Sequence, residues 1–111
     1  MALDKDGTVW AWGYGPQGLL GNRTTSNSSL PVKVIGVSDV VSIAAGYYNS
    51  FAVRKDGTVW SWGYNYHGQL GNGTKANSSL PVKVKIGDGS VDLTGVVSIA
   101  AGYYISLAVR K

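Results

Sequence analysis

Short apolar runs, broken by glycine and by aspartate-glycine pairs, dominate the chain. Ser50-Phe51-Ala52-Val53 and Thr58-Val59-Trp60-Ser61-Trp62 have the length of strands and flank Arg54-Lys55-Asp56-Gly57. An Asp-Gly pair between two such runs predicts a hairpin, because glycine supplies the positive φ that the turn needs. Pro31-Val32-Lys33-Val34 predicts an edge strand, since proline has no N–H to give a ladder. Val41-Ser42-Ile43-Ala44-Ala45-Gly46 alternates bulk with very small residues, which suits a crowded inner strand where backbones approach closely. No stretch carries the period of an amphipathic helix. The pattern predicts an all-β protein.

The pattern also repeats. Lys5-Asp6-Gly7-Thr8-Val9-Trp10 returns as Lys55-Asp56-Gly57-Thr58-Val59-Trp60, and Asn27 through Val34 returns unchanged as Asn77 through Val84, both at an offset of 50. Val41 through Tyr48 returns as Val97 through Tyr104 at an offset of 56, so the second copy carries six extra residues near 86–95. A period of this length with several strands per copy predicts β-propeller blades, two four-stranded antiparallel blades per chain. The repeats divide the chain into residues 1–51 and 52–111. Within Thr58–Trp62 both alternating sets are apolar or small, as a blade packed on both faces requires. Trp10, Trp12, Trp60 and Trp62 are therefore expected in the core between blades, with a solvent-facing ligand platform as the alternative.

The segment Trp62-Gly63-Tyr64-Asn65-Tyr66-His67-Gly68-Gln69-Leu70-Gly71-Asn72-Gly73-Thr74 carries a long and specific motif, preceded by Asp56-Gly57 and followed by Pro81-Val82. With Ile99-Ala100-Ala101-Gly102 and Ser106-Leu107-Ala108-Val109, it resembles the repeat of the regulator of chromosome condensation family over nearly the whole chain. The resemblance implies the blades of a propeller that in this family is typically seven-bladed. It also implies a range of family roles: nucleotide exchange on a small GTPase, chromatin binding, ultraviolet sensing and enzyme inhibition. None maps residue by residue onto this chain, and fold alone does not assign one. Gly15, Leu19 and Arg23 stand where the family favours Asn, Gln and Gly. Asn49 and Ile105 stand where it often has His. These departures suggest divergent, bacterial-type repeats. The compartment is not assigned by the sequence, with a bacterial extracellular or cell-surface setting slightly favoured.

Composition narrows the chemistry. Glu and Cys are absent, and the only His is His67. Catalysis needs convergent titratable groups, so the expectation is no enzyme, no catalytic residue, no cofactor and no metal. His67 sits in a glycine-flanked loop where the first copy has Gln17, which favours a loop role over a general base. Asp6 and Asp56 are expected to bond the backbone two residues on, as turn aspartates do. Asp88-Gly89-Ser90-Val91-Asp92 faintly resembles a calcium loop but has no bidentate Glu, and reads as a solvated outer loop. The four Asn-X-Ser/Thr matches, at Asn22, Asn27, Asn72 and Asn77, read as turn chemistry. The net charge is +4, but the basic residues are scattered, so nucleic acid is an unlikely partner and no membrane span is present.

Two blades cannot close a ring, and an open blade face would leave apolar surface in water. The chain ends on Ser106-Leu107-Ala108-Val109-Arg110-Lys111, the first strand of a hairpin whose turn and second strand stand at Asp6 to Trp12. The expected oligomer interface joins Thr8, Val9, Trp10 and Trp12 of one chain to Ser106, Leu107, Ala108 and Val109 of another, in competition with Met1–Asp4. Such head-to-tail contacts close into a trimer or tetramer, or run on as a fibre. The expected function is a non-catalytic, self-assembling scaffold or platform for a protein ligand. Two alternatives stand beside it. One is glycan or nucleic-acid binding through loops bearing Tyr14, Tyr47, Tyr48, Tyr64, Tyr66, His67, Tyr103 and Tyr104. The other is a piece of a longer propeller with exchange-factor-like or inhibitor-like protein binding.

Overall fold

The computed structural model describes residues 1–86 and 89–101, and the backbone of 106–110. A four-stranded antiparallel sheet forms its centre, in the order β4 (Val40–Ala45), β5 (Asn49–Arg54), β6 (Val59–Gly63) and β7 (Ser78–Lys83). Before it comes a three-stranded sheet of β1 (Ala2–Leu3), β2 (Val9–Gly13) and β3 (Ser28–Lys33). After it comes the antiparallel pair β10 (Val96–Ala101) and β11 (Ser106–Arg110). The fold is all-β and built of propeller blades.

The blades are out of phase with the sequence copies. The boundary between residues 51 and 52 falls inside β5, at the middle of the one sheet that has all four strands. Instead of two four-stranded sheets, the described residues form one whole blade and two part-blades. By repeat position, β1, β2 and β3 match β5, β6 and β7, so the first sheet lacks the equivalent of β4. The β10–β11 pair matches β4–β5 and lacks the two outer strands. The two prolines within strands lie on outer edges, Pro31 in β3 and Pro81 in β7, where no N–H is needed.

Alternation sorts each strand into two faces. Trp62, Ala52 and Trp60 pack back onto Val9, Ala11, Leu20 and Val34 of the first sheet. Phe51, Val53 and Val59 face forward onto Val96, Ile99 and Ala101 of β10. The central blade thus presents an indole pair to the blade before it and Phe51 with aliphatic residues to the blade after it. A backbone bond stitches each seam at the hairpin glycine: Val40 N donates to Gly7 O at 3.1 Å, and Val96 N to Gly57 O at 3.1 Å. A Cβ on Gly57 would lie 2.8 Å from Gly95 N, so this glycine serves both the turn, at φ +83°, and the close approach of the next blade.

Three local expectations need correction. The insertion is not a plain loop: β8 (Lys85–Ile86) pairs with β9 (Val91–Asp92), Lys85 opposite Asp92 and Ile86 opposite Val91. Asp92 accepts from Lys83 Nζ at 3.1 Å and from Lys85 Nζ. Those two ammonium groups hold its carboxyl below the usual range. Asp88, the first residue of the calcium-loop comparison, lies outside the described residues, as does Gly87. The second correction is in the first hairpin, where Asp4 takes the role expected of Asp6. Its Oδ1 accepts from Asp6 N and Thr8 N, and its Oδ2 accepts from Trp10 Nε1. In the second hairpin Asp56 does bond Thr58 N, two residues on, as expected. The third concerns the tryptophans. Trp62 is fully buried, whereas Trp12 is 44% exposed, because no blade covers the back of β2 among the described residues.

Candidate functional site

The loops at one end of the blades carry the tyrosines. Tyr14 follows β2, Tyr47 and Tyr48 form the β4–β5 turn, and Tyr64 and Tyr66 follow β6. Gly13 and Gly63 close those strands at φ 105° and 109°, and Tyr64 N donates to Tyr48 O at 2.8 Å. The sequence placed these rings in loops, and the fold gathers them into one strip. Tyr14 lies 5.9 Å from Tyr48 across the seam between blades, and Tyr48 lies 6.0 Å from Tyr64. Tyr47 stands edge-on to Tyr48 at 4.3 Å, and Tyr64 stacks with Tyr66 at 6.4 Å. His67 sits edge-on to Tyr66 at 5.0 Å, as a member of the aromatic strip. Tyr103 and Tyr104 lie outside the described residues.

Tyr48 and Tyr64 form a half-buried floor, while Tyr14, Tyr47 and Tyr66 stand exposed around it. The three segments that build the strip, 12–22, 44–51 and 62–74, contain no Asp, Glu, Lys or Arg. The protein's positive charge therefore lies elsewhere, and the strip offers rings, amides and hydroxyls. Beneath it Asn49 is 99% covered, with neither Oδ1 nor Nδ2 bonded.

Asn65 organises the longest of these loops and was not singled out from sequence. It is fully buried. Its Nδ2 lies 2.9 Å from both Thr74 O and Ala76 O, and its Oδ1 accepts from Leu70 N. The first copy has Gly15 here, where a Cβ would fall 1.9 Å from Ser26 O. The signal was present: this is the position at which Gly15 departs from the family's Asn. Asn22 and Asn72 cap Thr24 and Thr74, and Asn27 and Asn77 accept from Gly15 N and Asn65 N, so all four act in turns.

Thr8, Val9, Trp10 and Trp12 lie on and beside β2, and Ser106 to Val109 lie in β11. Within one chain these belong to separate sheets and are not brought together. Among the described residues no group of three or more His, Cys, Asp or Glu side chains could hold a metal, and no helix is long and apolar enough to cross a membrane.

Comparison with known proteins agrees with this architecture. The sequence pattern of the regulator of chromosome condensation (RCC1) repeat matches residues 6–53 and 56–109, and a second pattern of the same repeat matches 40–69. Prp20p of Saccharomyces cerevisiae, described with its binding to Gsp1p and histones, superposes with a TM-score of 0.78 at 22% identity over 96% of this chain. Human WBSCR16 superposes at 0.79 with 26% identity over 98% of the chain. Yeast RCC1 (Prp20) in complex with Kap60 superposes at 0.75 with 33% identity over 96%. The chain spans 27%, 28% and 24% of those three proteins, respectively. With its two repeats, its blades and its matched motif, the chain belongs to the RCC1 repeat family.

Proposed function

We propose that this chain is a non-catalytic protein-binding propeller unit, that its tyrosine strip is the contact surface, and that copies of the chain complete one another's open blades into a scaffold. The strip carries the reading. Tyrosine offers a large, stiff, amphipathic surface at low entropic cost, and Asn and Gly supply adaptable hydrogen bonding, the composition that antibody loops use to bind proteins. The rings sit on loops held by a rigid sheet, the usual place for a binding surface. Solved relatives support it: Prp20p is described with Gsp1p, with histones and with Kap60. The uncharged strip argues against a phosphate backbone as ligand, since nucleic-acid binding rests on cations.

The test is selection from a random-peptide display library against the immobilised chain, followed by the double variant Tyr48→Ala/Tyr64→Ala. Peptides that bind the parent chain and lose at least about tenfold in affinity for the variant support the reading. Peptides indifferent to the variant, or no enrichment, overturn it. Binding of a glycan array or of oligonucleotides in place of peptides would move the assignment to those ligands, and a steep fall with salt would mark the nucleic acid.

A further inference from the structure

The tyrosine strip has a floor, a rim and no charge, and those three properties select among ligands. Its floor rings, Tyr48 and Tyr64, are half-buried and stand 6.0 Å apart. Tyr47, Tyr48 and Tyr64 all stand on turns of the central blade, which has a sheet packed on each face. Tyr47 is 53% exposed and lies edge-on to Tyr48 at 4.3 Å. Tyr14, 5.9 Å from Tyr48, widens the platform across the closed seam to the first sheet. Tyr47-Tyr48 recurs in the sequence as Tyr103-Tyr104, and Tyr14 recurs as Tyr64, so these residues are part of the repeat.

The common modes of peptide recognition make different demands of a surface. A docked helix is about 10 Å across, and neighbouring rings of the strip stand 4.3 to 6.4 Å apart, which leaves no groove of that width between them. An added strand needs an open strand edge, whereas these rings sit on turns and loops. A phosphorylated or acidic segment needs arginine, and segments 12–22, 44–51 and 62–74 hold no Arg and no Lys. A polyproline II helix needs an aromatic surface and no charge, which is what the strip offers.

The spacing of the floor agrees. A polyproline II helix has three residues per turn and rises about 3.1 Å per residue, so residues i and i+2 lie about 6.2 Å apart along its axis. Those two residues occupy two of its three faces, and both can rest on one surface while residue i+1 points away. Tyr48 and Tyr64 stand at nearly that step, 6.0 Å. The rings are uncharged in a chain of net charge +4, which matches them to a segment that is itself uncharged.

Resting on the strip as the contact surface of the proposed function, we infer that its ligand is an uncharged, proline-rich segment of a partner protein in the polyproline II conformation. One proline lies on Tyr48 and a second, two residues on, lies on Tyr64, with Tyr47 and Tyr66 as the rim. The hydroxyls and amides around the floor meet the segment's carbonyls, which a polyproline II helix leaves without internal hydrogen bonds. Such a segment is ordered before it binds, so docking costs little further entropy.

The probe is decaproline, acetylated and amidated at its ends, titrated into the full chain by isothermal calorimetry. It should bind at least about tenfold tighter than a capped glycine-serine decamer. It should also bind at least about tenfold tighter than all-D decaproline, which has the same composition and the opposite helical hand. Tyr47→Ala and Tyr48→Ala should each weaken the binding at least about threefold. Should Tyr48→Ala fail to fold by intrinsic fluorescence, Tyr47→Ala, whose ring is largely exposed, decides the matter. No binding of decaproline, equal binding of either control peptide, or affinity unchanged in a folded variant overturns the inference. If the display selection yields strip-dependent peptides while decaproline fails, only the ligand class falls. If both fail, the contact surface falls with it.

Discussion

Trp62 and Trp12 occupy the same position in consecutive repeats, yet Trp62 is fully buried with its Nε1 on Leu19 O and Trp12 is 44% exposed. The difference is that, among the described residues, a blade packs against one and not against the other. Truncating a buried tryptophan removes its transfer free energy and leaves a cavity, at about 3–5 kcal/mol. Trp62→Ala should therefore lower the thermal midpoint by well over ten degrees or unfold the chain, at roughly 4–8 °C per kcal/mol. Trp12→Ala should leave the fold of a dilute chain nearly unchanged. Paired thermal melts followed by intrinsic fluorescence, at nanomolar concentrations below the range of the dilution series, check this.

Gly57 and Gly13 separate two reasons for a glycine. Both have positive φ, +83° and +105°, but a Cβ on Gly57 would fall 2.8 Å from Gly95 N, whereas one on Gly13 would meet nothing within 4 Å. Gly13→Ala should cost about 1–2 kcal/mol of backbone strain. Gly57→Ala should cost clearly more, because it also pushes the next blade off its stitch at Val96 N. Urea unfolding of the two variants should rank them in that order.

Asn65 ties the tyrosine loop together through Thr74 O, Ala76 O and Leu70 N. Asn65→Ala leaves those groups without a partner, at about 1–3 kcal/mol for each that stays buried. The expected result is faster amide exchange across residues 65–76, and weaker peptide binding even though no tyrosine has changed. Hydrogen-exchange mass spectrometry resolves that segment.

Much of this was legible in the sequence, and the exceptions have physical causes. The offset of 50 revealed the blades, and the Asp-Gly pairs marked their hairpins. The phase was hidden, because a periodic pattern has no origin: nothing in residues 49–54 marks them as the middle of a sheet rather than the join of two copies. The tyrosines were legible as loop residues, but their merger needed Tyr14 and Tyr48 to meet across a seam. The alternation of Trp60 and Trp62 placed both on one face without telling which neighbour that face meets. Asp4 was overlooked because its repeat equivalent is Arg54, so repeat symmetry pointed to Asp6. The hairpin of β8 and β9 arose from six inserted residues with no counterpart in the first copy.

Asp4 gives a pH dependence. Its carboxylate accepts from Trp10 Nε1 and from Thr8 N, which lowers its pKa. A carboxyl whose pKa is depressed by folding contributes its stability above the unfolded value, about 3.9, and loses it as pH falls through the folded value. The first hairpin should thus be indifferent to pH from neutrality to about 5 and loosen below about 4. The indole N–H resonance of Trp10 should hold its position over the first range and move in the second, a change that Asp4→Asn abolishes.

The central claim of the proposed function is that copies of the chain assemble with one another. Native mass by light scattering after size exclusion, across a dilution series, tests it most directly. A discrete trimer or tetramer that resists dilution, six or eight blades in all, is the expected result. A chain that stays monomeric at micromolar concentration would contradict it.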